Sequence, residues 1–215
     1  MKSPTSLLHR HHRGFTLIEL LVVIVIIAIL VSLSVPVYNL VMAKANALKI
    51  KSTMQNVQVA IGHYQTEYNR YPMDPSQGGG TGDEDREAFL TDGTDGAKNP
   101  ISILMARTDD SPPNMNSRKI KFVDLPDARN GLFGIVDPTA GADDAAELQL
   151  MDIWGMPYTI QFDTNYDNRI VNPDKTNNDE IIAGKASDFL TVRSLMFSNG
   201  PDKAPNTKDD IVTWR

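Results

Sequence analysis

The sequence predicts an α+β protein in which one long N-terminal α-helix packs, along its second half, on a small antiparallel β-sheet with long loops. Three observations predict it. Residues 15–33, FTLIELLVVIVIIAILVSL, form a nearly unbroken apolar run. From Leu40 to Tyr68, apolar residues recur at alternating spacings of three and four, the repeat of one helix face. Beyond residue 150, short β-branched and aromatic runs are separated by Asp, Asn, Gly and Pro, the punctuation of strands and turns. A chain of 215 residues divided in this way holds one modest globular domain plus an apolar segment.

The apolar run from Phe15 to Leu33 is close to the ~20 residues that a helix needs to cross a hydrocarbon core. Lys2, Arg10 and Arg13 lie on its N-terminal side, and residues 1–14 carry no acid. Positive charge stays on the cytoplasmic side, so the expected topology is N-terminus in, C-terminal domain out. A secretory signal would be cut after its apolar run at small residues; Ser32 and Ser34 offer only a weak version of that pattern. Glu19 sits inside the run, where an ionised carboxylate costs several kcal/mol and requires a partner or a route to the interface.

Pro36 is the only breaker between Phe15 and Tyr71, and the loss of its N–H predicts a bend or an unwound turn. Beyond it, Leu40, Ala43, Ala47, Ile50, Met54, Val57, Ile61, Tyr64 and Tyr68 share a face. A helix from residue 15 to 68 would be roughly 80 Å long, too long for a small domain to bury, so its N-terminal half is expected to pack on other subunits. The Tyr71-Pro72 step steers the chain out of the helix.

Residues 73–100 read as an acidic, glycine-rich loop with one helical turn around 86–90. Ile101 to Ala106 reads as a short helix and Lys119 to Val123 as a strand. Residues 152–162, the turn 163–168 and Arg169 to Val171 read as a β-hairpin, followed by strands at Leu195 to Ser198 and Ile211 to Trp214.

Composition excludes several classes of function. The chain has no cysteine, so disulfides, thiolate metal sites and thiol nucleophiles are ruled out. Without residues 1–14, 18 basic residues face 27 acidic ones, a balance that disfavours nucleic acid and favours cations. Three of the four histidines lie within residues 1–14, which leaves only His63 beyond them. The motifs G-x-S-x-G, G-x-x-x-x-G-K and H-E-x-x-H do not occur, and no catalytic residues are expected.

The string Arg13-Gly14-Phe15-Thr16-Leu17-Ile18-Glu19-Leu20-Leu21 resembles the leader junction of type IV pilins and type II secretion pseudopilins. The resemblance implies cleavage between Gly14 and Phe15 by a prepilin peptidase, N-methylation of Phe15, and a need for Glu19 in assembly. It also implies local melting at Pro36 in the filament. If the cut falls there, Glu19 lies four residues from the new ammonium and can pair with that of a neighbouring subunit. The corresponding organisation is a leader at 1–14, a transmembrane and polymerisation helix at 15–36, an amphipathic stalk at 37–72 and an extracytoplasmic domain at 73–215.

Two C-terminal patches resemble the G-type major pseudopilin: Asp152-Ile153-Trp154-Gly155-Met156-Pro157-Tyr158, and Ser198-Asn199-Gly200-Pro201-Asp202 followed by Asp209-Asp210-Ile211. The second implies a calcium loop using Asp202, Asp209, Asp210 and Asn199. Carboxylates with carbonyl oxygens suit this hard cation, although a solvated acidic turn would show the same spacing. A second calcium pattern places Asp163, Asn165 and Asp167 at loop positions one, three and five, Ile170 at eight and Asp174 at twelve. Asn168 stands where glycine is usual, and a plain turn explains the same letters.

The resemblance implies a non-enzymatic filament subunit. It polymerises with itself and works with an inner-membrane platform protein, an assembly ATPase and minor pseudopilins. A type IV pilin, a minor pseudopilin, or a membrane-anchored extracytoplasmic binding domain are the alternatives.

Overall fold

The computed structural model describes residues 15–73, 89–91, 99–107, 115–137 and 148–215. The leader, with Gly14, and the predicted turn at 86–88 lie outside the described residues. The chain divides into two compact units, residues 1–45 and 46–215. Helix α1, Leu17–Tyr68, runs from the first into the second.

In the first unit, each described side chain from 15 to 45 is exposed, including the whole apolar run. Among the described residues, α1 is the one helix long and apolar enough to cross a membrane. Its start is set by Thr16 and Glu19. The Thr16 Oγ1 accepts the Glu19 N–H (3.3 Å), while the Glu19 carboxylate accepts the Thr16 N–H (2.8 Å) and hydroxyl (2.7 Å). This reciprocal capping box satisfies donors that the first helical turn leaves orphaned.

The helix continues through position 36 without a break, contrary to the expected unwound turn. A proline removes one N–H from the ladder, and Ser32 and Ser34 hydroxyls donate to the carbonyls of Ile29 and Leu30 nearby (2.8 and 2.7 Å). Such local bonding lets apolar helices carry proline.

In the second unit, Ile50, Met54, Val57, Ile61 and Tyr64 are 0–2% exposed, so the predicted helix face is the buried one. It packs on a four-stranded antiparallel sheet ordered β1 (Phe89–Leu90), β4 (Thr159–Phe162), β7 (Ser194–Ser198), β8 (Ile211–Val212). Ile160 pairs with Met196, and both join Phe162 and Ile211 in the core against α1. The alternate residues Leu195, Phe197 and Val212 turn to the other face and cluster with Ile170, as a period of two requires. Each such burial contributes about 1.5–3 kcal/mol. Asn69, at φ 53°, ends α1 in the left-handed conformation, its N–H bonded to the Gln65 carbonyl (2.8 Å).

The short helix appears as α2, Pro100–Leu104, capped by Asn99. Phe89–Leu90 is the edge strand β1 rather than part of a helical turn. No strand forms at 119–123. There Asn116 accepts the Ile120 N–H (3.0 Å) and Leu104 accepts that of Phe122 (2.8 Å), so loop contacts replace a ladder. A pair missed by the sequence reading, β2 (Gly134–Val136) and β3 (Gln149–Met151), forms its own two-stranded sheet.

The expected hairpin is also replaced. β4 already lies between β1 and β7, so β5 (Ile170–Val171) has no edge there and pairs instead with β6 (Phe189–Leu190). A 3-10 turn, Pro173–Thr176, and helix α3, Glu180–Lys185, separate β5 from β6.

Candidate functional site

Two regions carry the sequence-predicted residues. The first is the start of α1. Phe15 is 80% exposed and Glu19 is exposed three residues into the helix. Within one subunit the Glu19 carboxylate is already held by Thr16, a contact that the T-x-x-E spacing signals and the sequence reading passed over. Any pairing of Glu19 with a neighbour's N-terminus would therefore exchange or share these hydrogen bonds.

The second region is the loop 198–210 between β7 and β8. Asp209 Oδ2 accepts the Asp202 N–H (3.1 Å), and its Oδ1 accepts the Thr207 hydroxyl (2.9 Å). Asp210 accepts the Thr207 N–H (3.0 Å) and hydroxyl (3.2 Å). Burial pushes the Asp210 carboxyl above the ordinary range; hydrogen bonds from Thr207 and Asn206 oppose the shift and the nearby Asp202 charge adds to it. For Asp209 burial also acts upward, but hydrogen bonds from Thr207 and Asp202 win and hold it low. Gly200 closes the loop at φ +69°, where a Cβ would lie 2.4 Å from the Asp209 carbonyl oxygen. Only glycine fits both the angle and the approach.

The donors in this loop are all oxygens, as a hard cation requires. The Asn199 Oδ1 is buried without a hydrogen-bond partner, in a residue only 8% exposed. An orphaned buried acceptor costs about 1–3 kcal/mol, a cost that a plain solvated turn would not carry. Among the described residues, no three acidic or histidine side chains converge, so an ion would draw partly on amide and backbone oxygens.

In the other ion pattern three residues share one turn and the fourth is engaged elsewhere. Asp163 accepts the N–H groups of Asp167 (3.1 Å) and Asn168 (2.9 Å), and Asn165 also accepts from Asp167 (2.9 Å). Asp167 in turn accepts from Arg169 (2.7 Å). These are self-contained turn bonds, with Tyr166 and Asn168 at positive φ. Asp174 serves elsewhere: it accepts the Trp214 indole N–H (2.8 Å) and pairs with Arg215 (3.2 Å).

Asp152, singled out only as part of a motif, is fully buried. Its Oδ1 caps the Trp154–Met156 turn (2.8 and 2.9 Å) and its Oδ2 accepts the Ser198 hydroxyl (2.7 Å).

Residues 9–35 match the family model of the prokaryotic N-terminal methylation motif. The chain is 43% identical over 60 residues to type II secretion system core protein G of Pectobacterium carotovorum, covering 28% of this chain and 38% of that protein. It is 40% identical over 63 residues to the Klebsiella pneumoniae core protein G, covering 29% and 45%. It is 32% identical over 120 residues to fimbrial protein EcpB of Eikenella corrodens, covering 56% of this chain and 71% of that protein.

The chain belongs to the type IV pilin-like family.

It is a type II secretion pseudopilin or type IV pilin-like subunit, a structural class of protein. The capped, exposed apolar α1 of this pilin-like chain fits a single-pass membrane anchor. The matches span less than half of the two core G proteins, and no solved structure matches the chain at a significant level.

Proposed function

We propose that this chain is a major-type pseudopilin of a type II secretion system. A prepilin peptidase clips it before Phe15, and it polymerises through α1 into a filament that drives protein export. The observation that carries the reading is an unpartnered apolar helix, exposed at every described side chain from 15 to 45, on a chain that is 40–43% identical to core G proteins over 60–63 residues. Lipid covers that face in a bilayer first, and copies of the same helix cover it in a filament afterwards. The positive N-terminal flank keeps 1–14 cytoplasmic and sends the 46–215 unit outward. The machinery's platform protein, ATPase and minor pseudopilins are its partners, and its chemistry is structural rather than catalytic.

Glu19 is the assembly residue: released from Thr16, it pairs with the N-terminal ammonium of a neighbour. Calcium occupies the 198–210 loop, held by carboxylates drawn from Asp202, Asp209 and Asp210 together with amide and backbone oxygens of the loop, Asn199 among them. The match that spans 71% of a fimbrial protein supports a type IV pilin as the second reading.

The test is Glu19→Ala in cells that carry the secretion machinery. Loss of filaments with an unchanged 46–215 domain is expected; filaments at the normal level would refute the pairing.

A further inference from the structure

We infer that Asp152 is a positioning residue for the 198–210 loop, so that the two C-terminal motifs, 46 residues apart, work as one device. The inference rests on the reading of that loop as an ion site.

Asp152 is 0% exposed and every one of its polar atoms is used. Its N–H donates to the Met156 carbonyl (2.8 Å), and its carbonyl accepts from Phe133 (2.8 Å) and Gly155 (3.2 Å). Its Oδ1 accepts from Trp154 and Met156 (2.8 and 2.9 Å). The carboxylate is thereby fixed in place, leaving Oδ2 to receive the Ser198 hydroxyl at 2.7 Å. Ser198 is itself 1% exposed, and its Oγ accepts the Gly200 N–H (3.3 Å).

Gly200 lies against the Asp209 carbonyl with no room for a Cβ, and Asp209 holds the Asp202 N–H (3.1 Å). One connected path therefore runs from a rigid buried carboxylate, through Ser198 and Gly200, to the Asp209 and Asp202 side of the loop. It passes across Asn199, whose side-chain oxygen is the orphan. Charge-assisted hydrogen bonds to a fixed anion are the stronger kind, and partners that orient ligands typically set metal affinity by about tenfold to a hundredfold.

Asp152→Asn keeps an oxygen for the Trp154–Met156 turn but puts a neutral N–H donor opposite Ser198, so the charge-assisted bond is lost and the hydroxyl can only accept from position 152 while it also accepts from Gly200. In the full chain in detergent, two quantities are measured: calcium affinity by calorimetry, and hydrogen exchange of the Gly200 amide in calcium-free buffer. The expected result is an affinity lowered about tenfold or more and a faster Gly200 exchange, with the far-ultraviolet circular dichroism retained.

Tyr68→Phe is the control, since it removes a hydroxyl bonded to Asn116 (2.8 Å) and Arg118 (3.2 Å), none of them in either motif. It should leave both readings at the wild-type level. Unchanged affinity and exchange in Asp152→Asn, or an equal change in Tyr68→Phe, would overturn the inference. Should Asp152→Asn fail to fold, Ser198→Ala removes the bond from the loop side and is read by calcium affinity alone, since it also deletes the acceptor of the Gly200 N–H. A wild-type chain that binds no calcium would sink the ion reading alone, because Gly200 exchange without calcium still judges the anchoring.

Discussion

Replacing Tyr64 tests whether the second half of α1 is the central element of the globular unit. Tyr64 is fully buried, its ring 4.7 Å from that of Tyr68 and 5.4 Å from Phe122, and its hydroxyl donates to the Met115 carbonyl at 2.5 Å. Tyr64→Phe keeps the ring and removes the bond. The Met115 carbonyl retains only a long contact from Arg70 (3.5 Å), so a loss of about 1–2 kcal/mol is expected. Tyr64→Ala also empties the ring's volume, for a loss of about 3–5 kcal/mol. Val59, on the same helix but 60% exposed, should lose less than about 0.5 kcal/mol as Val59→Ala. The fragment 46–215 contains the whole buried core, so urea unfolding of that fragment is the assay. In thermal melts the Ala variant should fall by roughly 10 °C, at about 2–4 °C per kcal/mol for a chain of this size. Equal losses for Tyr64→Ala and Val59→Ala would refute the packing of α1 described here.

Gly200→Ala should open the 198–210 loop, because the positive φ and a backbone contact at 2.4 Å leave no rotamer by which to escape. Destabilisation of about 2 kcal/mol or more and a weakened response to calcium are expected, and wild-type melting would contradict the tight closure. Alkaline pH should also destabilise the domain: burial raises the phenols of Tyr64, Tyr71 and Tyr158, that of Tyr71 to about 12 with the Asp163 charge adding to the shift. A folded pKa above the unfolded value contributes stability that is intact below pH ~10 and lost as pH rises through the folded value. Absorbance at 295 nm should therefore show a late tyrosine step that coincides with loss of near-ultraviolet dichroism; a single early step in a folded protein would refute this.

The helix was the most legible part of the fold because burial imposes a period on it. The 3–4 spacing that marks Ile50, Met54, Val57, Ile61 and Tyr64 is what places them against the sheet. β7 and β8 were readable for the same reason, as was α2, where Asn99-Pro100 is a recognisable helix start. Strand partners were not readable. Ile170 and Val171 look like the return arm of a hairpin, but the competition for the β4 edge is decided by β1 and β7, which are remote in sequence. Lys119 to Val123 has strand composition, yet Asn116 and Leu104 take its donors first. At the candidate site the letters of both ion patterns were visible. In three dimensions the carboxylates of both patterns accept hydrogen bonds within their own loops; Asp174 is held by Trp214, and Asn199 keeps a buried oxygen without a partner. The Thr16–Glu19 capping box was legible in principle from the T-x-x-E spacing, because an acid in the first turn can serve as a helix start as well as a charge.

Assembly through α1 requires processing at its start, and the direct measurement is the mass of the N-terminal peptide from cells with and without a prepilin peptidase. A peptide beginning at N-methylated Phe15 only when the peptidase is present is the predicted result. Met1 to Gly14 retained in both strains, or a cut beyond Ser32, would contradict assembly through α1.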